Sequence, residues 1–200
     1  ARPDVETTTE VLDSSVVIYG DHDCFGERKV NIDGSFGPYE WINYKQFQQF
    51  SKGFGIGLSQ LGIEAGDRVG IYSVNCSWWQ YTQFACHYIG AIPVPVYDSL
   101  GPGAAKYIVN HSGCKAIVVH PFNVKKILEF LDETELKKVI LMKQDESITD
   151  ERFTTCEKVY QNGFKTIDSF QFPQLKGDDV AMIMYTSGST GPPKGCVITA

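Results

Sequence analysis

Helix-like and strand-like patterns alternate along most of this 200-residue chain. Apolar residues three and four positions apart predict an amphipathic helix over residues 44–61, and further helices are predicted over 78–90, 103–111 and 124–131. Short apolar runs predict strands over 68–73, 115–120 and 138–142. Two prolines restrict the extended segment 91–97 to an edge strand. Alternation of this kind is typical of an α/β fold in which helices flank a parallel sheet.

Three glycines at alternate positions lie inside the first predicted helix, in the sequence Gly53-Phe-Gly-Ile-Gly57. The dinucleotide-binding fingerprint requires such glycines in the turn between a strand and a helix. Because these glycines lie within a helical pattern, the sequence favours close packing against a neighbouring helix over a dinucleotide site.

The charge of the chain argues against nucleic acid as a partner. The formal net charge is −6 and the isoelectric point is near 5.2. Binding to a phosphate backbone requires clustered Lys and Arg, and the pairs at 125–126 and 137–138 are too short to form a basic stripe. Hydrophobic content of 42% and charged content of 21% are typical of a globular protein.

The six cysteines form no C-x-x-C motif and no cluster with the four histidines. In a chain without an evident secretory signal, they predict free thiols in a reducing compartment. No apolar run approaches the ~20 residues of a membrane-spanning helix. We therefore expect an intracellular protein, in the cytoplasm or on the cytosolic face of an organelle membrane, with no transmembrane segment in this stretch and with peripheral membrane association open.

The run Tyr185-Thr-Ser-Gly-Ser-Thr-Gly-Pro-Pro-Lys-Gly195 has the composition of a loop that binds phosphate. Its glycines let an anion approach main-chain N–H groups, and its hydroxyls can donate to phosphate oxygens or offer lone pairs to Mg²⁺. Lys194 adds a positive charge, and the two prolines before it stiffen the segment. A plain polar turn does not need these residues in this order. The common nucleotide P-loop, G-x-x-x-x-G-K-[ST], does not match. Its second glycine would fall on Pro193, and Gly195 follows the lysine where the pattern requires Ser or Thr.

A short apolar run, residues 180–184, precedes the loop and has the length of a buried parallel strand. A strand followed by an anion loop is typical of ligand sites in open α/β sheets. Cys196 follows the loop, and because free cysteines are usually buried, we expect a thiol packed within a strand. His87, His111 and His120 are expected to be structural, since the chain has no nucleophile pattern such as G-x-S-x-G.

The loop resembles, residue for residue, the signature loop of the adenylate-forming superfamily, which includes acyl-CoA synthetases, luciferases and the adenylation domains of peptide synthetases. Three further stretches are similar to the eukaryotic type of long-chain fatty acyl-CoA synthetase: Tyr39-Glu-Trp-Ile-Asn-Tyr44, Gly66-Asp-Arg-Val-Gly-Ile-Tyr-Ser73 and Pro95-Val-Tyr-Asp-Ser-Leu-Gly101. Two residues depart from the family pattern. Cys76 stands where the family commonly has Arg, and Ala200 falls where many relatives have His.

This resemblance implies that a fatty carboxylate attacks ATP to give an acyl-adenylate and pyrophosphate, after which the CoA thiol displaces AMP. ATP and Mg²⁺ are the implied cofactors, CoA is the cosubstrate, and a long-chain fatty acid is the other partner. Lys194 is the implied catalytic residue, and Ser189 is the implied protein hydroxyl on the metal. The residues expected to hold the ATP phosphates are Thr186, Ser187, Gly188, Ser189, Thr190, Gly191, Lys194 and Gly195.

In domain terms, residues 1–200 are expected to be the N-terminal portion of the large domain of an adenylate-forming enzyme, ending just after the loop 185–195, with the C-terminal domain absent. Two other interpretations stay open. One is a different adenylating ligase, such as an aromatic-acid or luciferase-like enzyme. The other is a noncatalytic module that binds nucleotide phosphates.

Overall fold

The computed structural model describes residues 5–31, 33–100, 103–187 and 191–199. Its helices are α1 (Thr8–Tyr19), α2 (Tyr44–Gln60), α3 (Ser77–Ile89), α4 (Ala104–Ser112), α5 (Val124–Phe130) and α6 (Cys156–Phe164). Its strands are β1 (Asp23–Val30), β2 (Phe36–Asn43), β3 (Arg68–Tyr72), β4 (Ile92–Pro95), β5 (Cys114–Val119), β6 (Lys138–Leu141), β7 (Phe153–Thr155), β8 (Val180–Thr186) and β9 (Lys194–Thr199). The four helices predicted from the sequence correspond to α2, α3, α4 and α5, each end within one residue.

The central element is a five-stranded sheet in the order β4-β3-β5-β6-β7, and every neighbouring pair in it is parallel. Parallel neighbours need a crossover connection, and helices α3, α4 and α5 provide the crossovers from β3 to β4, from β4 to β5 and from β5 to β6. The predicted α/β fold is therefore confirmed.

Both faces of this sheet are covered by helices, as a parallel sheet requires. Successive residues of β5 point to opposite faces. Ile117 and Val119 pack in the core formed with α4 and α5, whereas Ala116 and Val118 pack in the core formed with α2, α3 and α6. All four side chains are fully buried. The sheet is thus the middle layer of three.

Helix α2 packs closely against α3 and α6 through its glycines. A capping box formed by Asn43 and Gln46 sets its first turn. A Cβ placed on Gly57 would lie 2.0 Å from the carbonyl oxygen of Val159, in α6. One placed on Gly55 would lie 2.8 Å from the carbonyl oxygen of Ala85, in α3. The prediction that these glycines serve helix packing is confirmed.

Strand β4 is an edge strand of the parallel sheet, as its prolines predicted. The N–H of Ile92 donates to the carbonyl of Asp67 at 2.8 Å, and the N–H of Val96 donates to the carbonyl of Ile71 at 2.9 Å. Donors alternate in direction along a strand, so residues 93 and 95 face the opposite, outer edge. Both are prolines, and that stretch of the edge therefore has no N–H to offer.

The expectation of a parallel strand over residues 180–184 was wrong. Strand β8 lies beside β4, but it pairs antiparallel with β9 in a separate two-stranded sheet. The prolines of β4 explain this, because an edge without donors cannot complete a ladder with β8. A partner strand only a few residues further along the chain also costs little loop-closure entropy.

A β1–β2 hairpin and helix α1 complete the structure at its N-terminal side. The hairpin is antiparallel, and it packs with α1, α2 and α3 around a small, mostly aromatic hydrophobic cluster that includes Leu12, Phe47, Tyr81 and Tyr88. None of the helices that the described residues form has the length and hydrophobicity of a membrane-spanning segment.

Candidate phosphate-binding site

The β8–β9 hairpin brings the two ends of the glycine- and hydroxyl-rich loop together. Thr186, at the end of β8, is paired with Lys194, at the start of β9. Tyr185 is paired in the same way with Gly195. Of the predicted site, the structure describes Thr186, Ser187, Gly191, Lys194 and Gly195, and it brings these residues to one end of the hairpin. The predictions for Gly188, Ser189 and Thr190, including the prediction that Ser189 contacts the metal, fall outside the described residues.

The base of the loop presents one cation beside two hydroxyls. Thr186, Ser187 and Lys194 are all exposed. Among the residues that the structure describes, no carboxylate lies within ion-pair distance of Lys194. The ammonium group is therefore available to an anion from solution, with the hydroxyl of Thr186 on the facing strand and that of Ser187 directly after it.

Two of the loop glycines are needed for different reasons. Gly191 has a φ of +124°, a backbone conformation that other residues rarely adopt. Gly195 allows a close approach, since a Cβ there would lie 3.2 Å from Cγ2 of Ile183 and 3.3 Å from Cζ of Tyr185. The ring of Tyr185 thus lies across the backbone that follows Lys194.

Tyr185 is buried, and it is anchored to helix α4. Its hydroxyl lies 2.7 Å from Nδ1 of His111, and the His111 ring stacks on Tyr107 with a centroid distance of 5.1 Å. Burial raises the pKa of Tyr185, so its hydroxyl keeps its proton at neutral pH. Sequence reasoning gave His111 no part in the site. Its position 74 residues before Tyr185 carries no local signal of the contact.

The family model for AMP-binding enzymes matches residues 20–200, which include the whole loop and its hairpin. The chain belongs to the AMP-binding enzyme family. The described part of the loop in this AMP-binding chain therefore lies inside the matched segment, at one end of the β8–β9 hairpin.

Relatives of this AMP-binding chain include long-chain acyl-CoA synthetases. It is 33% identical to peroxisomal long chain acyl-CoA synthetase 7 of Arabidopsis thaliana, over 99% of this chain and 29% of that protein. It is 34% identical to long chain acyl-CoA synthetase 1 of the same plant, over 98% of this chain and 31% of that protein. The chain spans only about three-tenths of the length of these relatives.

A solved structure shows the same fold. The anthranilate CoA ligase in complex with anthranoyl-AMP superposes with a TM-score of 0.78, over 95% of this chain and 34% of that chain, at 18% sequence identity. This likeness extends across all three layers of the AMP-binding chain and supports the α/β assignment.

The exposure of Cys196 differs from the sequence prediction of a packed thiol. The residue lies in a strand as predicted, but it is exposed rather than packed. The reason is that β9 is the outer strand of its hairpin and every one of its residues is exposed. Its sulfur lies 4.0 Å from Oγ1 of Thr186, on the face that carries Lys194.

His87 is structural, as expected. It is buried, its Nε2 donates to the carbonyl of Ala181 at 2.8 Å, and its Nδ1 lies 2.8 Å from Oγ1 of Thr8. Since a carbonyl only accepts, the proton of the neutral ring is on Nε2 and the hydroxyl of Thr8 donates to Nδ1. Burial lowers the pKa of His87. The ring joins α1, α3 and β8.

Proposed function

We propose that this chain is the N-terminal portion of the AMP-binding domain of a long-chain fatty acyl-CoA synthetase, which uses ATP to convert a fatty acid to acyl-adenylate and then to acyl-CoA. The observation that carries the proposal is the pairing of Thr186 with Lys194. It puts a hydroxyl opposite a lysine that has no carboxylate partner among the described residues, at the base of a glycine-rich loop in a chain of the AMP-binding family.

The chemistry of these groups suits the polyphosphate of ATP. Formation of the adenylate makes a bond from the carboxylate oxygen to the α-phosphorus and breaks the bond to pyrophosphate. The carboxylate is already ionised at neutral pH, so the protein need not remove a proton. What the step requires is in-line positioning and neutralisation of the charge that develops on the leaving pyrophosphate. Lys194 and the donors between Thr186 and Gly191 are the groups we assign to that task.

In the second step the CoA sulfur forms a bond to the acyl carbon, the thiol proton is released, and AMP leaves. No described residue is assigned to this step. Mg²⁺ is the cation we propose for the phosphates, because hydroxyl and phosphate oxygens are the ligands that it prefers. Ser189 remains our proposal for the protein hydroxyl nearest the metal.

The names of the relatives support a long-chain fatty acid as substrate. Long-chain acyl-CoA synthetases match nearly the whole chain at 31–34% identity, whereas the anthranilate ligase shares 18%. The six cysteines are all free thiols, which supports a reducing compartment. We therefore propose an enzyme of the cytoplasm or of the cytosolic face of an organelle membrane, with peripheral contact to that membrane.

A product assay on the full-length enzyme tests this proposal. With ATP, CoA and palmitate, it should release AMP and pyrophosphate in equal amounts and form one acyl-CoA per AMP. Stoichiometric ADP would contradict adenylation. Turnover with aromatic acids but not with palmitate would keep the chemistry and reject the substrate class, and nucleotide binding without turnover of any acid would favour the noncatalytic module.

A further inference from the structure

Among the residues that the structure describes, the hairpin that carries the phosphate loop forms no ladder hydrogen bonds with the parallel sheet that would fix its position there. It lies against the outer edge of β4, where Pro93 and Pro95 remove the N–H groups. Apolar packing alone does not fix how far a strand sits along such an edge, because burial is non-directional. Directional contacts have to come from side chains.

Two histidines from neighbouring helices supply such contacts, one near each end of β8. His87, on α3, donates to the carbonyl of Ala181 at 2.8 Å, near the start of the strand. His111, on α4, bonds the hydroxyl of Tyr185 at 2.7 Å, next to the loop. The hydroxyl donates to Nδ1 when the imidazole is neutral with its proton on Nε2.

The hydrogen bond between His111 and Tyr185 is linked to Lys194 through the backbone of Gly195. Tyr185 lies across Gly195, with 3.3 Å between Cζ and a Cβ placed on that glycine. Gly195 directly follows Lys194, and the pairs Tyr185–Gly195 and Thr186–Lys194 are adjacent rungs of the same ladder. A change in the position of the tyrosine ring therefore moves the backbone that holds the lysine.

We propose that His111 is a positioning residue for the phosphate loop, acting through the hydroxyl of Tyr185. This inference rests on the proposed function in taking ATP as the ligand of the loop. The positioning of the loop by His111 does not depend on which ligand binds. Tyr107 assists by stacking on the imidazole at an interplanar angle of 19°, which limits rotation of the ring. A misplacement of the reacting groups by about 1 Å can lower the rate by about 10²-fold.

A double-mutant cycle in the full-length enzyme tests the inference. His111→Leu and Tyr185→Phe each remove one side of the hydrogen bond, and His111→Asn retains an acceptor near the place of Nδ1. We expect each of the first two variants to raise the KM for ATP about 5-fold, the factor of a single net hydrogen bond. The KM for palmitate should stay unchanged, the double variant should be no worse than either single one, and His111→Asn should lie within about 2-fold of wild type.

Multiplicative losses in the double variant, or a His111→Asn enzyme as impaired as His111→Leu, would overturn the inference. Amide hydrogen exchange provides a readout that does not depend on activity. Exchange over residues 185–187 and 194–196 should accelerate in His111→Leu, while exchange over β5 should not. If exchange over β5 accelerates as well, the leucine substitution has disturbed the sheet. The same comparison is then made with Tyr185→Phe and His111→Asn in its place. Unchanged loop exchange in Tyr185→Phe would reject the positioning role. Accelerated loop exchange in Tyr185→Phe, together with a wild-type enzyme that turns over no acid, would reject the proposed function alone.

Discussion

At the scale of single residues, Lys194 is the group whose removal should affect catalysis most directly. It is exposed and without a carboxylate partner in the described structure, so its side chain contributes little to stability. Lys194→Ala in the full-length enzyme should lower kcat by about 10²-fold, as expected when one preorganised electrostatic group is lost, and leave the melting temperature nearly unchanged. Steady-state kinetics and thermal unfolding measure the two quantities. Lys176→Ala, which removes another exposed lysine, is the matched control, and normal turnover of Lys194→Ala would remove the assigned role.

The residues of the site were predictable to the extent that they are adjacent in sequence. The loop from Tyr185 to Gly195 is recognisable because its glycines, hydroxyl residues and lysine lie in one continuous stretch of sequence. His111 was not recognisable, because its contact with Tyr185 depends on how α4 lies beside the hairpin. The burial of Cys196 was predicted wrongly for a similar reason, since residue type cannot show that β9 has no neighbour on its outer side in the described structure.

At the scale of elements, the contact between α2 and α6 should be sensitive to a single methyl group. Gly57→Ala gains about 1 kcal/mol of helix propensity, but its Cβ would lie 2.0 Å from the carbonyl oxygen of Val159. A backbone atom cannot move aside as a side chain can, so we assign about 3 kcal/mol to overpacking. The net loss of about 2 kcal/mol would appear in urea unfolding. Gly37→Ala, whose Cβ makes only ordinary contacts, should change stability by less than about 0.5 kcal/mol.

Whether an element could be predicted depended on how its pattern arises. Helix α2 was found to within one residue because its apolar face has a period that only a helix explains. The β1–β2 hairpin was missed because most of its residues are exposed and leave little apolar alternation. For β8 the strand was correct but its partner was wrong, because the prolines that decide the pairing lie on β4, about ninety residues earlier.

At the scale of the whole molecule, His87 connects α1, α3 and β8 and should make stability depend on pH. Burial holds its folded pKa below the ordinary value of 6.5, so the unfolded chain binds its proton first. Stability from this group is therefore fully present above pH 6.5 and is lost as pH falls through the folded pKa. Urea unfolding between pH 5.5 and 7.5 should show a free energy that rises with pH. In His87→Gln that slope should be smaller, and an unchanged slope would assign it to other groups.

Synthesis from the N-terminus gives the two prolines of β4 a second effect. The strands of the parallel sheet, from Arg68 to Thr155, leave the ribosome before β8 and β9. During that interval the outer edge of β4 faces neighbouring nascent chains, and an open edge with free N–H groups would recruit their strands and start aggregation. Pro93 and Pro95 offer no such groups. We therefore expect the residues that keep the phosphate-loop hairpin out of the sheet to reduce aggregation of the incomplete chain during translation as well.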